Sequence, residues 1–442
     1  MRILFININT LRADRLGCYG NQNGLTPHLD QLASRGVVFE RLFGENNVSQ
    51  SSFVTMMTGK HPYQHGVVNM KPQPIPELLY PMSLFWQKNG YRTAAIDCNY
   101  RITGEKNTWF QRGYDTYIDP SEERPTHLNI TAEEVNKEAI AWLEKHAHEP
   151  NFFLFLHYWD THYPYHSIES QGITEVEPNE PSLKEFAREP LWSFIQKYGQ
   201  EKTPSQLRQD YDGTVKQVDH AIGQIIQVLE QLQILDDTLI VLTSDHGESL
   251  GEHGIYFDHH GLYDASLHVP LLFHYPKILP GGIRVPTLVQ HADLFPTMME
   301  LAEASPFKEL GNLDGKSLLS VIKDPTRKHR KFVISCEANW QLKRSIRTTD
   351  WKLIRSLKPD VYGNPNFELY HLTTDPQEKN NVIKEHPILA KQLHQKMEGW
   401  VKKMLTRYKR QDPLRKGTKL EMNRMTVAEE EELKERLSKL GY

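Results

Sequence analysis

The chain has 442 residues, a formal net charge of −4 and three scattered cysteines, Cys18, Cys98 and Cys336. That length suits one large domain plus a smaller one. The near-neutral charge excludes a basic nucleic-acid footprint, the cysteines exclude a disulfide framework or a thiolate zinc site, and no apolar run is long enough to span a bilayer.

From its amino end the chain opens on RILFINI, a buried-strand candidate with no apolar leader ahead of it, so a cytoplasmic location is expected. Helical TPHLDQLASRG follows. YRTAAIDCN, NFFLFLHYW and DTLIVLTSD are further buried strands, and AEEVNKEAIAWLEKH and YDGTVKQVDHAIGQIIQVLEQLQ carry helical spacing between them. Alternation of near-continuous apolar strands with amphipathic helices predicts an α/β chain whose parallel sheet is covered on both faces. Ligands gather beyond the carboxyl ends of such strands. Polar groups cluster there: Asn9 after the first strand, Asp160 and His162 after FFLFLHYW, and Asp245 and His246 after LIVLTS.

After about residue 325 the texture changes. KFVISCE, RSIRTTDWKLIRS and FELYHLTTDP are short strands punctuated by turns, and PILAKQLHQKMEGWVKKML is helical. The expected division is a catalytic α/β domain over 1–325 and a small antiparallel sheet with one helix over 326–442. The charged end, TVAEEEELKERLSKLGY, is a solvated helix or an interaction tail.

Asp245 and His246 are good ligands for a divalent cation, although an isolated Asp-His pair is more often a loop cap beside a surface histidine. The wider string TSDHGE after an apolar strand resembles the sulfatase family of the alkaline phosphatase superfamily, as do NTLRADRLGCYG, MMTGKHPYQHGV, DTHYPY, YDASLHVPLLF, HADLFPTMMELA and ELYHLTTDPQEKNN. The resemblance implies an alkaline-phosphatase-like fold, with a mixed, mostly parallel sheet between helices. It also implies one divalent metal ion, Ca²⁺ with Mn²⁺ or Mg²⁺ as alternatives, held by Asn9, Thr10, Ser49, Asp245 and His246.

Counting back from Thr58-Gly59, the family's nucleophile falls on Ser49. The Cys/Ser-x-Pro-x-Arg frame that directs oxidation to formylglycine reads Ser49-Gln50-Ser51-Ser52-Phe53 here. With Pro and Arg both missing, Ser49 is expected to stay an unmodified hydroxyl activated by the metal. Asn9 replaces the family's first metal aspartate and brings no charge. The family's cationic Lys and His after the third strand fall near Cys98 and Tyr100, and its later lysine falls on His259 or His260, with His260 preferred. His162 is the expected general acid. Lys60 is a further catalytic candidate, and Gln64, His65 and Tyr100 are expected to contact substrate oxygens.

The expected activity is hydrolysis of a sulfate ester of a small molecule or saccharide through Ser49. Phosphodiester or phosphonate monoester hydrolysis is the alternative, and a catalytically silent binding protein of the same fold a further one. No nucleic-acid or membrane partner is expected, and self-association into a homo-oligomer is left open.

Overall fold

The computed structural model describes residues 1–70, 75–98, 108–123, 130–166, 175–186 and 201–417. Tyr100, most of the 165–205 insertion and the charged tail lie outside the described residues. The central sheet is built from β1 (Arg2–Ile8), β2 (Val37–Phe43), β3 (Arg92–Ile96), β4 (Thr116–Ile118), β5 (Phe152–Tyr158) and β6 (Thr238–Thr243). A two-stranded ribbon, β7 (Ser249–Leu250) with β8 (Tyr256–Asp258), stands apart from it. The central sheet is completed by β9 (His268–Val269), β10 (Leu271–His274) and β11 (Ile283–Gln290).

Strand order is β11-β2-β10-β6-β1-β5-β3-β4, with β9 paired to β2. All pairings are parallel except those of β9 and β10. Alternate residues of β1 feed opposite cores, as the pleat requires. Leu4, Ile6 and Ile8 pack with α1 (Pro27–Ser34), α3 (Ala132–His146) and α4 (Pro204–Gln231). Ile3 and Phe5 pack with α2 (Ser49–Thr58) and α5 (Leu294–Leu301). Capping boxes at Thr131/Glu134 and Thr203/Gln206 start α3 and α4 where the amphipathic spacing predicts helix.

The second sheet is the antiparallel meander β12 (Val333–Glu337), β13 (Lys343–Arg347), β14 (Trp351–Ser356) and β15 (Phe367–His371), covered by α6 (Pro387–Arg407). It is fastened to the first by buried charge: Lys352 donates to Asp264 at 2.8 Å and pairs with Glu378 at 2.8 Å, and Arg347 holds Asp264. Backbone bonds join β12 to the turn before α2, with Cys336 N on Glu45 O at 2.9 Å. No helix among the described residues is long and apolar enough to cross a membrane.

Candidate active site

Asn9, Ser49, Asp245 and His246 converge beyond the carboxyl ends of β1, β2 and β6, where the strand pattern places ligands. All four are buried, Asn9, Asp245 and His246 completely. Ser49 Oγ lies 3.1 Å from His246 Nε2. His246 Nε2 is 3.3 Å from Asp245 Oδ2, which accepts from Asn9 Nδ2 at 3.4 Å. His246 Nδ1–H donates to Gly247 O at 2.9 Å, so Nε2 carries the free lone pair. Gly247 is required by close approach rather than by a turn: a Cβ there would meet Ala265 O at 2.1 Å.

Ser49 opens α2, and the cap position is Val48, whose side chain cannot accept a hydrogen bond. The first amides of the helix are therefore left to an anion, and the helix dipole favours one. Val48 N is held by Asn46 Oδ1 at 3.0 Å, and Asn46 Nδ2 donates to Cys336 O at 2.8 Å, so the second sheet steadies this turn.

Thr10 enters the site through its backbone. It sits in the left-handed region at φ 54°, its N–H reaches Asp245 Oδ1 at 3.3 Å, and its hydroxyl is occupied by Thr161 O. Tyr211 and Thr161 hydroxyls donate to the Thr10 and Asn9 carbonyls, which holds the strained turn in place. Asp14 orders the segment that follows through Arg12, which also binds Glu252.

The imidazoles differ in charge. Burial lowers the pKa of His246 and of His162 to about 4. Burial also acts against His259, but Glu248, Asp258 and Asp245 outweigh it and raise that ring to about 9. Burial pushes the Asp245 carboxyl up, yet His246, His157 and bonds from Ser49 and Thr10 bring it below its ordinary value. Of the two neighbouring imidazoles, His259 is the one brought to the cluster, its ring 4.3 Å from that of His246 and 6.4 Å from His162. His260, the preferred candidate from sequence, turns to Tyr362 Oη at 2.9 Å and Asp258 at 3.2 Å, and burial lowers it to about 4. Adjacent residues leaving β8 face opposite ways, which a one-residue choice of alignment could not resolve.

Lys60, Gln64 and His65 are not brought to this cluster. Lys60 Nζ donates to Leu310 O and to Asn312 O at 3.0 Å, and Gln64 Nε2 donates to the same Asn312 O at 2.9 Å. His65 bridges Thr55 Oγ1 at 3.0 Å and Val67 N at 3.1 Å. These three tie the turn after α2 to its surroundings. Sequence reasoning missed His157 and Asp97, a buried pair with Nδ1 2.7 Å from Oδ1, and Glu248 beside His259. The signal was present as single polar residues inside the apolar strings FFLFLHYW and AAIDCN.

Among the described residues no three His, Cys, Asp or Glu side chains gather as a metal-binding group. The donors available to a divalent cation are two of those types, Asp245 and His246, plus the Ser49 hydroxyl and the Asn9 carbonyl oxygen. That carbonyl oxygen is buried without a hydrogen-bond partner, which a native interior rarely tolerates. The spacings of 3.1 Å from Ser49 Oγ to His246 Nε2 and 3.3 Å from His246 Nε2 to Asp245 Oδ2 fall within the roughly 2.8–3.7 Å that separates adjacent octahedral ligands on Mg²⁺ or Ca²⁺. The residues fit such a cation.

A buried oxygen-and-imidazole cluster beside a hydroxyl at a bare helix N-terminus is an arrangement suited to chemistry on an anionic ester. The family model described as Sulfatase matches residues 2–304, and the one described as N-sulphoglucosamine sulphohydrolase, C-terminal, matches 251–403. The chain belongs to the sulfatase family. It is 25% identical over 512 residues to N-acetylglucosamine-6-O-sulfatase of Bacteroides thetaiotaomicron, covering 95% of this chain and 88% of that protein. A structure solved in complex with its substrate D-glucosamine-2-N,6-O-disulfate has the same fold, with TM-score 0.75 at 22% identity over 93% of this chain and 98% of that one. So does a phosphonate monoester hydrolase of Agrobacterium radiobacter, with TM-score 0.72 at 21% identity over 92% and 95%.

Proposed function

We propose that this chain hydrolyses a sulfate ester of a small-molecule or saccharide alcohol, with the unmodified Ser49 hydroxyl as nucleophile. The carrying observation is the position of Ser49 Oγ, 3.1 Å from His246 Nε2 at the uncapped start of α2. The saccharide class rests on the 25% identical relative named for N-acetylglucosamine 6-O-sulfate chemistry.

Asn9, Asp245, His246 and Ser49 would hold the divalent cation, for which Ca²⁺ is our assignment and Mn²⁺ or Mg²⁺ the alternatives. When bound it supplies Lewis-acid charge that makes the hydroxyl a usable nucleophile and offsets the charge on the ester oxygens. The free amides of α2 bind and orient the anionic group for in-line attack. His259, whose ring packs 4.3 Å from that of His246, would contact that anion. The Ser49 hydroxyl gives up its proton to water as Oγ bonds to the central atom and the bond from that atom to the alcohol oxygen breaks, and His162 protonates the departing alcohol from Nε2 while Nδ1–H stays on Tyr163 O at 2.6 Å. Burial keeps the resting His162 ring neutral, so it takes up this proton when the anionic ester binds beside it. Water then hydrolyses the ester on Ser49.

One observation favours a second reading, phosphodiester or phosphonate monoester hydrolysis. Position 53, where the maturation frame has Arg, holds a fully buried Phe53 packed edge-on against Phe110, Phe155 and His157. An ordinary serine ester must be cleared by attack at the central atom, which is easier at phosphorus than at sulfur. Rates on nitrophenyl sulfate, phosphate diester and phosphonate esters, each with and without a chelator, test both readings. Chelator-sensitive sulfate ester turnover with a weaker phosphorus activity is expected. Preference for the phosphorus esters would move the assignment to the second reading, and no turnover of any ester with cation supplied would overturn both.

A further inference from the structure

Polar side chains cross the central sheet in the order of its strands. Tyr117 lies on β4, Asp97 just beyond β3, His157 on β5, Asn9 just beyond β1 and Asp245 just beyond β6. The register makes this row possible: Ala95 pairs with Tyr117, Ile96 with Leu156, and Asn7 with His157. Tyr117 Oη donates to Asp97 Oδ2 at 2.6 Å. Asp97 Oδ1 lies 2.7 Å from His157 Nδ1, and His157 Nε2 lies 3.3 Å from Asn9 Nδ2. Asn9 Nδ2 also reaches Asp245 Oδ2 at 3.4 Å. His157, Asp97 and Asn9 are at most 3% exposed, so water does not relieve an ill-matched pair.

The hydrogen-bond bookkeeping has one direction. A carboxylate only accepts, so Asp97 takes protons from both Tyr117 Oη and His157 Nδ1. With Nδ1–H directed at Asp97, Nε2 is the atom left to accept, and it faces Asn9 Nδ2 at 3.3 Å. Asn9 accordingly turns its NH₂ toward His157, and the Asp245 carboxylate, which only accepts, reinforces that orientation. Its carbonyl oxygen is then aimed away from both, and it is the atom left without a partner.

We propose that His157, oriented by Asp97, is a positioning residue that holds the Asn9 amide with its carbonyl oxygen presented to the catalytic cation. This deepens the metal reading above and rests on it. An aspartate at position 9 would offer oxygen in either orientation. An asparagine offers oxygen or NH₂, and NH₂ repels a cation, so this chain needs a neighbour that fixes the choice. Support of a ligand by a carboxylate–histidine pair is a general device, and its loss weakens metal affinity by roughly 10–100-fold.

The test is calorimetric titration of the cation-free protein with Ca²⁺ and with Mn²⁺. In Asp97→Asn the new NH₂ can donate to His157 Nδ1, which moves the imidazole proton to Nε2 and turns the Asn9 oxygen toward it. Affinity should fall by about tenfold or more, with thermal unfolding near that of the parent. In the Asn9→Asp background the same change should cost less than about threefold, because a carboxylate has no wrong face; the double-mutant cycle isolates that dependence. His157→Gln, whose amide both donates and accepts, should repeat the pattern if Asp97→Asn does not fold. Equal losses in the parent and in the Asn9→Asp background, or no loss in either, would overturn the positioning role while leaving the metal reading standing. A parent chain that binds neither ion would overturn the metal reading and the proposal with it.

Discussion

At the carboxyl ends of β1 and β6, Asn9, Asp245 and His246 are fully buried, and the Asn9 carbonyl oxygen has no hydrogen-bond partner. In the turn after α2, Lys60 and His65 are buried as well, but the ammonium and both imidazole nitrogens are occupied by neighbouring groups. Both regions lie in segments that resemble the same family, and both hold polar side chains at a cost in desolvation. In the first, a buried polar atom is left over and a ligand can take it. In the second, the Lys60 ammonium and both His65 ring nitrogens are already bound within the chain, and Lys60 and His65 are expected to act on stability. Substitutions should separate the two regions cleanly.

The largest effect is expected at Ser49. Ser49→Ala should lower turnover by about a thousandfold or more on every ester the protein accepts, with little change in thermal unfolding. Full turnover would remove the nucleophile from Ser49 and break the contrast at its centre. His259→Ala should lower kcat/KM by roughly 10–100-fold, and His260→Ala by less than about threefold. The reverse order would restore the assignment made from sequence.

Asn9→Asp sharpens the contrast in another way. It adds charge to the cluster, so cation binding measured by calorimetry should tighten by about tenfold, and the cation-free protein should unfold at lower temperature because Asp245 then faces a like charge. An unchanged affinity would mean that Asn9 is not a ligand.

The second region should answer only in stability. Lys60→Met leaves Leu310 O without its donor and Asn312 O with Gln64 alone, which should cost about 1–3 kcal/mol in denaturant unfolding, with kcat/KM unchanged. Burial holds the His65 pKa well below its ordinary value, so the folded ring stays neutral. The unfolded chain binds a proton there below about pH 6.5, so the stability that depends on neutral His65 is present above that pH and is lost as pH falls. His65→Asn should flatten the acid side of the stability–pH curve between about pH 6.5 and 5 without moving the pH profile of the rate. A kinetic effect of either change would place these residues back in the site.

How far the site could be read from sequence follows the same division. Asp245-His246 and Ser49 were legible because each sits in a contiguous string at a strand or helix end, and the strands themselves were legible because both faces of the sheet are buried. The His157–Asp97 pair was not, because it joins residues 60 apart on neighbouring strands, and each looks like one stray polar residue in an apolar run. The roles of Lys60 and Gln64 depend on Asn312, about 250 positions away. Local spacing carries no trace of such contacts. The antiparallel β10, inserted between β2 and β6, was equally hidden, since a buried strand has the same apolar pattern in either direction.

The most direct measurement is mass spectrometry of the peptide containing NNVSQSSF from protein quenched during turnover of an activated ester. An ordinary serine at position 49 in the resting enzyme, with the sulfuryl or phosphoryl group attached to that residue in the quenched sample, is the predicted result. An aldehyde at position 49, lighter by two hydrogens, or an adduct on another residue, would contradict an unmodified Ser49 nucleophile.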